Sequence, residues 1–261
     1  MCDFIFDLPL LVTGPALILL LWLYAWSGLL LARCFIHPRL TIHSEDSHFI
    51  GTMVHTVAVF YGLTVALITI AVWETYSEVS HLVSHEATAI AALWRDLGGY
   101  PEPVRGQTRG ELRGYTEYVI HEAWPLQRKG QVPGGGVERM DRLQTALFSF
   151  QPATEAEKIL HAETLSAYNQ LITTRRLRLD AVGTALPGVL WTVVLTGALI
   201  CLAASFFFHV NDVRLHASLV TLLALFVGLV IFVIFALDHP FRGDLGISPE
   251  PYQLIHEQLM K

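Results

Sequence analysis

The stretch from residue 47 to residue 97 constrains this chain most. Residues 47–73 contain no Asp, Glu, Lys or Arg, 27 positions in a row. About 20 apolar residues suffice to cross a hydrocarbon layer of about 30 Å, so this run is long enough to span a membrane. At Trp73-Glu74 the composition turns amphipathic, and no Gly or Pro intervenes before Gly98. An unbroken helix over the whole stretch would be about 75 Å long at 1.5 Å per residue. In its continuation Val79, Leu82, Val83, Ala87, Ile90, Leu93 and Trp94 recur at helical spacing between Glu74, Tyr76, Glu78, His81, His85 and Glu86.

The membrane half carries a stripe of mostly small or polar residues: His48, Thr52, His55, Val59, Gly62, Ala66, Thr69 and Trp73. Their steps alternate between three and four, which places them on one helical face. Such a face either lines a wet path or packs closely on a neighbouring helix through Gly62 and Ala66, as small residues do in membranes. His55 lies mid-span. An intramembrane ionisable group either faces water or a bundle interior, or is a neutral, hydrogen-bonded structural histidine.

Three further uncharged runs match the membrane criterion. One covers residues 8–32 and ends at Arg33, with Pro15 near its start. A polar link with His37, Arg39 and His43 follows it. The next run lies between Asp180 and Asp212, 31 residues broken or begun at Pro187. The last is 215–237, 23 residues. The N-terminus has Asp3 and Asp7 and no basic residue before its apolar run, unlike a secretory signal.

Between the second and third spans the pattern is that of a helical soluble segment. Gly98 to Pro103 is a break, and a helix with Leu112, Tyr115, Val119 and Trp124 inward follows, ended or kinked by Pro125. Residues 130–136 (GQVPGGG) read as a loop tip. A helix at 137–150 turns Met140, Leu143, Leu147 and Phe150 inward. Thr154 with Glu157 makes a capping box, and the helix it starts is predicted to run to Val182 with Ile159, Leu165, Tyr168, Leu171 and Ile172 inward. Asn169 suggests a buried hydrogen bond. No strand is predicted. The resulting division is a first span at 8–33, and a second at 48–73 continuing as a soluble helix to 97. A helical domain at 98–182, spans at 187–209 and 215–237, and a tail at 238–261 complete it.

Only 15% of residues are charged, against 53% hydrophobic, and the net charge of −6 has no long run of one sign, so nothing suggests nucleic acid. Cys2, Cys34 and Cys201 are far apart, with no CxxC, and define neither a disulfide framework nor a zinc site. His81 and His85 share a helical face with Glu78, but no HExxH or second cluster supports a metal centre. No nucleophile elbow, P-loop or dinucleotide fingerprint occurs, and 130–136 lacks the Lys-Ser/Thr of a phosphate cradle. The chain reads as no enzyme, with no cofactor and no metal.

Glu74 and Glu78 lie one turn apart just beyond the second span; they form a solvated face or, in a symmetric oligomer, stacked acidic rings that favour cations. Arg175, Arg176 and Arg178 precede the third span; they meet anionic lipid heads or pair with acids such as Glu86. Asp238 and Arg242 bracket Pro240 at the exit of the fourth span, as a pair that fixes the turn. Four spans put both termini and the soluble segment on one side. Arg175, Arg176, Arg178 and Arg242 there, against Arg33, Arg39 and Arg214 opposite, favour a cytoplasmic placement.

Four stretches resemble the bacterial bestrophin-like family of membrane proteins, over about residues 52–260. They are Val72-Trp73-Glu74-Thr75-Tyr76 leading to His85-Glu86-Ala87-Thr88-Ala89-Ile90, and Pro101-Glu102-Pro103-Val104-Arg105 with Glu122-Ala123-Trp124-Pro125. The more specific two are Tyr168-Asn169-Gln170-Leu171-Ile172 with Arg175-Arg176-Leu177-Arg178-Leu179 and Leu186-Pro187-Gly188-Val189-Leu190-Trp191, and Leu237-Asp238-His239-Pro240-Phe241-Arg242-Gly243. The resemblance implies an all-α fold of four transmembrane helices with a cytoplasmic helical domain between spans 2 and 3. It also implies a homo-oligomer, pentameric in bestrophins, whose second transmembrane helix lines an ion pore. The chain has no acidic calcium-clasp cluster, so calcium gating is not carried over. The expectation is a bacterial inner-membrane ion channel that weakly favours cations, with the lipid bilayer, further copies of itself and inorganic ions as partners. The alternative is a non-conducting scaffold or sensor whose cytoplasmic helices bind a partner.

Overall fold

A computed structural model describes residues 9–36, 38–39, 44–208, 210 and 212–261, with the side chains of 44–48 left out. The side chain of His48 and residues Cys2, Leu8, His37, His43 and His209 therefore lie outside the described set. The described residues contain helices and no strand. In order these are α1 (Leu10–Leu31, closed by a π-helical turn Ala32–Ile36), α2 (Ser44–Leu97), α3 (Val104–Tyr118), α4 (Trp124–Gln127), α5 (Gly136–Ser149), α6 (Glu155–Asp180), α7 (Gly188–Ser205), α8 (Val213–Leu237) and α9 (Glu250–Leu259). A π-helical turn, Val119–Ala123, joins α3 to α4, and a 3₁₀ turn, Ala181–Gly183, ends α6. The contacts divide the chain into two units: Met1–Glu74 with Ala185–Asp238, and Thr75–Thr184 with His239–Lys261. The boundary at Glu74 falls where the uncharged run of α2 ends, although the helix itself continues without a break.

The first unit holds four helices long and apolar enough to cross a membrane, over Leu10–Ile36, within Phe49–Leu97, and over Gly188–Ser205 and Val213–Leu237. Its core is built from medium and small apolar residues: Ala25, Val194, Ala198, Leu202, Ala224, Ile231 and Ile234 are fully buried. Leu11, Leu20, Leu67, Val189, Leu222 and Phe226 point outward and are well exposed. That inversion of the soluble pattern suits a lipid-facing bundle, where helices gain from close packing rather than from hiding apolar surface. Gly197 of α7 allows one such approach. A Cβ there would lie 2.5 Å from the Tyr61 ring of α2, and the Tyr61 hydroxyl donates to the Val194 carbonyl at 3.1 Å. Gly197→Val should lower stability by about 1–3 kcal/mol through overpacking. The thermal midpoint of the full-length chain in detergent checks this, and an unchanged midpoint would contradict the contact.

Helix α8 begins at Val213, two residues earlier than the uncharged run, because the Asp212 carboxylate accepts from the N–H groups of Arg214 and Leu215. Helix α7 begins at Gly188 after Pro187 and ends at Ser205, before the expected 209.

The second unit has its own core. Val79, Val83, Ile90, Leu93 and Leu97 of α2 meet Leu112, Tyr115, Val119 and Trp124, then Met140, Leu143, Leu147, Tyr168 and Leu171. The capping box of α6 is present: Glu157 N–H donates to Thr154 Oγ1 at 3.2 Å and Thr154 N–H donates to Glu157 Oε2 at 3.1 Å. Two inward expectations for α6 fail. Ile159 is 71% exposed, and Asn169 is exposed too. The buried face of α6 instead runs through Thr164, Tyr168, Leu171 and Arg178. Thr164 belongs there because its hydroxyl donates to the Leu160 carbonyl at 2.8 Å, which removes the cost of hiding it.

After α8 the chain folds onto this unit. Phe241 is buried with its ring 5.7 Å from that of Trp124, and Trp124 Nε1–H donates to the Ile247 carbonyl at 3.2 Å. Gly243 has φ of +71°, a conformation that side-chain-bearing residues rarely adopt. The Pro-Phe-Arg-Gly stretch is thus a packed turn with a left-handed corner.

Candidate functional site

The stripe on α2 can be read against the packed face of the same helix. Within the first unit, Val65, Ile68 and Val72 are buried. The stripe lies one residue further round. Thr52, His55, Gly62 and Ala66 are exposed, Val59 is 53% and Trp73 57% exposed, and Thr69 is half-buried. A Cβ added at Gly62 would meet open space. Among the described residues, Gly62 and Ala66 are not a close-packing seam for another helix of this chain, which corrects one reading of the stripe.

Glu74 and Glu78 are both exposed, one helical turn apart, as are His81 and His85. Among the described residues no group of three or more His, Cys, Asp or Glu is placed to hold a metal.

The three arginines ahead of α7 separate. Arg176 is exposed, with Asp180 at 3.9 Å, a weak surface pair. Arg175 is half-buried, with its guanidinium beside Gly136 at the start of α5. Arg178 is 1% exposed, out of reach of lipid heads, and pairs with Glu86, which is 0% exposed. Arg178 Nε donates to Glu86 Oε2 at 2.5 Å and Nη2 donates to Oε1 at 3.2 Å. The Tyr115 hydroxyl adds a third donor to Oε1 at 2.6 Å. The guanidinium lies 6.0 Å from the Trp124 ring centroid and 5.9 Å from that of Tyr252. Burial opposes the charge on Arg178, but Glu86 outweighs it and holds its pKa well above the ordinary arginine value. Burial first, and then the Glu86 charge, push the Tyr115 and Tyr252 hydroxyls well above the usual tyrosine range, so both stay neutral. Four elements, α2, α3, α6 and α9, thus meet at one neutralised charge pair.

Pairing with Glu86 was one of the two readings the sequence left open for these arginines; it did not single out Arg178 or bring in Tyr115 and Tyr252, although a signal existed. Glu86 falls on the buried line Val79, Val83, Glu86, Ile90, Leu93, Leu97, where a charge requires a partner.

Asp238, 4% exposed, closes the first unit. Its Oδ1 accepts from the Leu186 N–H at 2.5 Å, and its Oδ2 accepts from Trp191 Nε1–H at 3.0 Å. These partners tie the end of α8 to the entry of α7. Arg242 is in the second unit, beside Gly130.

Four apolar helices with outward-facing Leu, Val and Phe, joined through an α-helical second unit, make this a helical membrane protein. It belongs to the bestrophin-like family: the family model for the Bestrophin-like domain matches residues 20–252. No curated protein and no solved structure matches the chain.

Proposed function

We propose that this protein is a homo-oligomeric ion channel of the inner membrane, with α2 from each copy lining the pore and cations weakly favoured. The reading extends from membership of the bestrophin-like family. One observation carries it: the polar and small stripe from Thr52 to Trp73 stays uncovered, while the adjacent face of α2 is buried in its own bundle. Hydroxyl, imidazole and glycine positions on an uncovered membrane face are better matched to water and ions than to lipid tails. Around an axis, Glu74 and Glu78 would become two acidic rings just beyond the membrane. In this reading both termini and the unit around Thr75–Thr184 are cytoplasmic, Arg175 and Arg176 lie near anionic lipid heads, and Asp238 and Arg242 hold the turn about Pro240.

Reversal potentials in planar bilayers under a salt gradient test the proposal. The wild type should reverse on the cation side of zero. Glu74→Gln and Glu78→Gln should each move the reversal toward zero, with more than half the selectivity lost in the double variant. An anion-side reversal that neither substitution moves would remove the rings. Silence from an intact oligomer with no axial cavity would favour the scaffold reading.

A further inference from the structure

The end of α1 carries a catch that only a neutral histidine can close. Arg33, in the π-helical turn Ala32–Ile36, uses one nitrogen for two bonds. Its Nη2 donates to the Val210 carbonyl at 2.9 Å and lies 3.2 Å from His216 Nδ1. His216, in the first turn of α8, is 2% exposed, and its Nε2 lies 3.1 Å from the Ser205 carbonyl at the end of α7. A guanidinium has donors and no acceptor, so His216 Nδ1 must be the unprotonated acceptor. The Nε2–H then donates to Ser205, and both ring nitrogens are satisfied in this one tautomer. Among the described residues Arg33 Nε is buried with no partner, and the guanidinium's bonds run through Nη2.

We propose that Arg33 and His216 form a proton-sensitive catch joining the ends of α1, α7 and α8, closed by neutral His216 and opened when His216 takes up a proton. The added proton has only Nδ1 to occupy. It would set an N–H against the Arg33 N–H groups and place two cations 3.2 Å apart. Arg33 would keep the Val210 carbonyl as its acceptor among the described residues. Among the described residues no acid is paired with either group to absorb the second charge. Arg33 is the charged group touching the ring from α1, and α7 presents a backbone carbonyl with the Ser205 hydroxyl turned to Leu202. On its own element, Asp212 is exposed and engaged with the Arg214 and Leu215 N–H groups, and Arg214 is exposed. Under the orientation proposed above, this end faces the outer side of the membrane, so the catch would respond to external acidity. The test below does not depend on that orientation or on conduction.

The catch is lost as the pH falls below histidine's ordinary value of about 6.5. The thermal midpoint of the full-length protein in nanodiscs should therefore drop between pH 7.5 and 5. His216→Gln offers an oxygen to Arg33 and an N–H to Ser205 at every pH. It should keep the neutral-pH midpoint and lose at least about 3 °C of the acid drop. Arg33→Gln should lose the same part of the drop, because its amide oxygen accepts from a protonated His216. In 15N-histidine spectra, the signal missing from His216→Gln should show an unprotonated Nδ1 at pH 7.5 and become doubly protonated with acid. An Nδ1–H tautomer at pH 7.5, or variants whose acid drop equals that of the wild type, would overturn the proposal. If His216→Gln does not fold, the Arg33→Gln comparison and the wild-type spectrum decide.

Discussion

Arg178→Met is expected to destabilise the second unit by about 3–5 kcal/mol, the usual cost of leaving a buried charge without its partner. Glu86 would lose its cationic partner and keep neutral hydroxyl donors such as Tyr115, inside a core where α2 and α6 exclude water. Glu86→Leu alone should cost a similar amount, since it strands a guanidinium that is 1% exposed. The double variant, Glu86→Leu with Arg178→Met, should recover more than half of either loss. Apolar side chains of similar volume can replace a buried pair at little net cost. Tryptophan fluorescence during denaturation of the full-length chain is a suitable readout, because Trp124 stacks beside Arg178. A single substitution costing under about 1 kcal/mol, the range of an exposed pair, would mean that Arg178 is solvated. Losses that simply add in the double variant would mean that the two groups are not coupled.

The four apolar helices and the helical second unit were legible because their signals are local. Uncharged runs set the spans, and Thr154 with Glu157 marks the start of α6 through bonds three residues apart. What periodicity could not supply is which face turns inward when polar residues join the core. On α6, counting apolar positions favoured Ile159, but the core takes Thr164 and Arg178, each satisfied by a specific acceptor. On α2 in the membrane, apolar residues occur on the buried face and on the exposed faces alike. Spacing alone therefore did not separate the Val65, Ile68 and Val72 face from the stripe beside it. One contact on the packed side, Tyr61 against Gly197, joins residues 136 positions apart in sequence. The sequence offered Glu86 as a partner for the arginines ahead of α7 but did not select Arg178 or place Tyr115 beside it, for a related reason. The members of this centre are separated by 29 and 92 residues, and each alone resembles a surface charge or a core tyrosine.

Asp238→Ala should be the other large effect, a loss of about 2–5 kcal/mol from the first unit, because a buried donor left without an acceptor costs about 1–3 kcal/mol and this change strands two. The carboxylate accepts from the Leu186 N–H and from Trp191 Nε1–H, while its own residue follows directly on α8. It therefore sits at the entry of α7, where exposed N–H groups and the helix dipole favour a negative charge. The same group joins the end of α8 to the first turn of α7. Asp238→Asn keeps an acceptor oxygen and should cost less than half as much, whereas Trp191→Phe removes one of the two donors and should fall between. The order Ala, then Trp191→Phe, then Asn is the diagnostic outcome, read as thermal midpoints of the full-length protein in detergent. If Asp238→Ala stays within about 0.5 kcal/mol of wild type, the range of an ordinary surface change, then Asp238 does not hold α7 and α8 together.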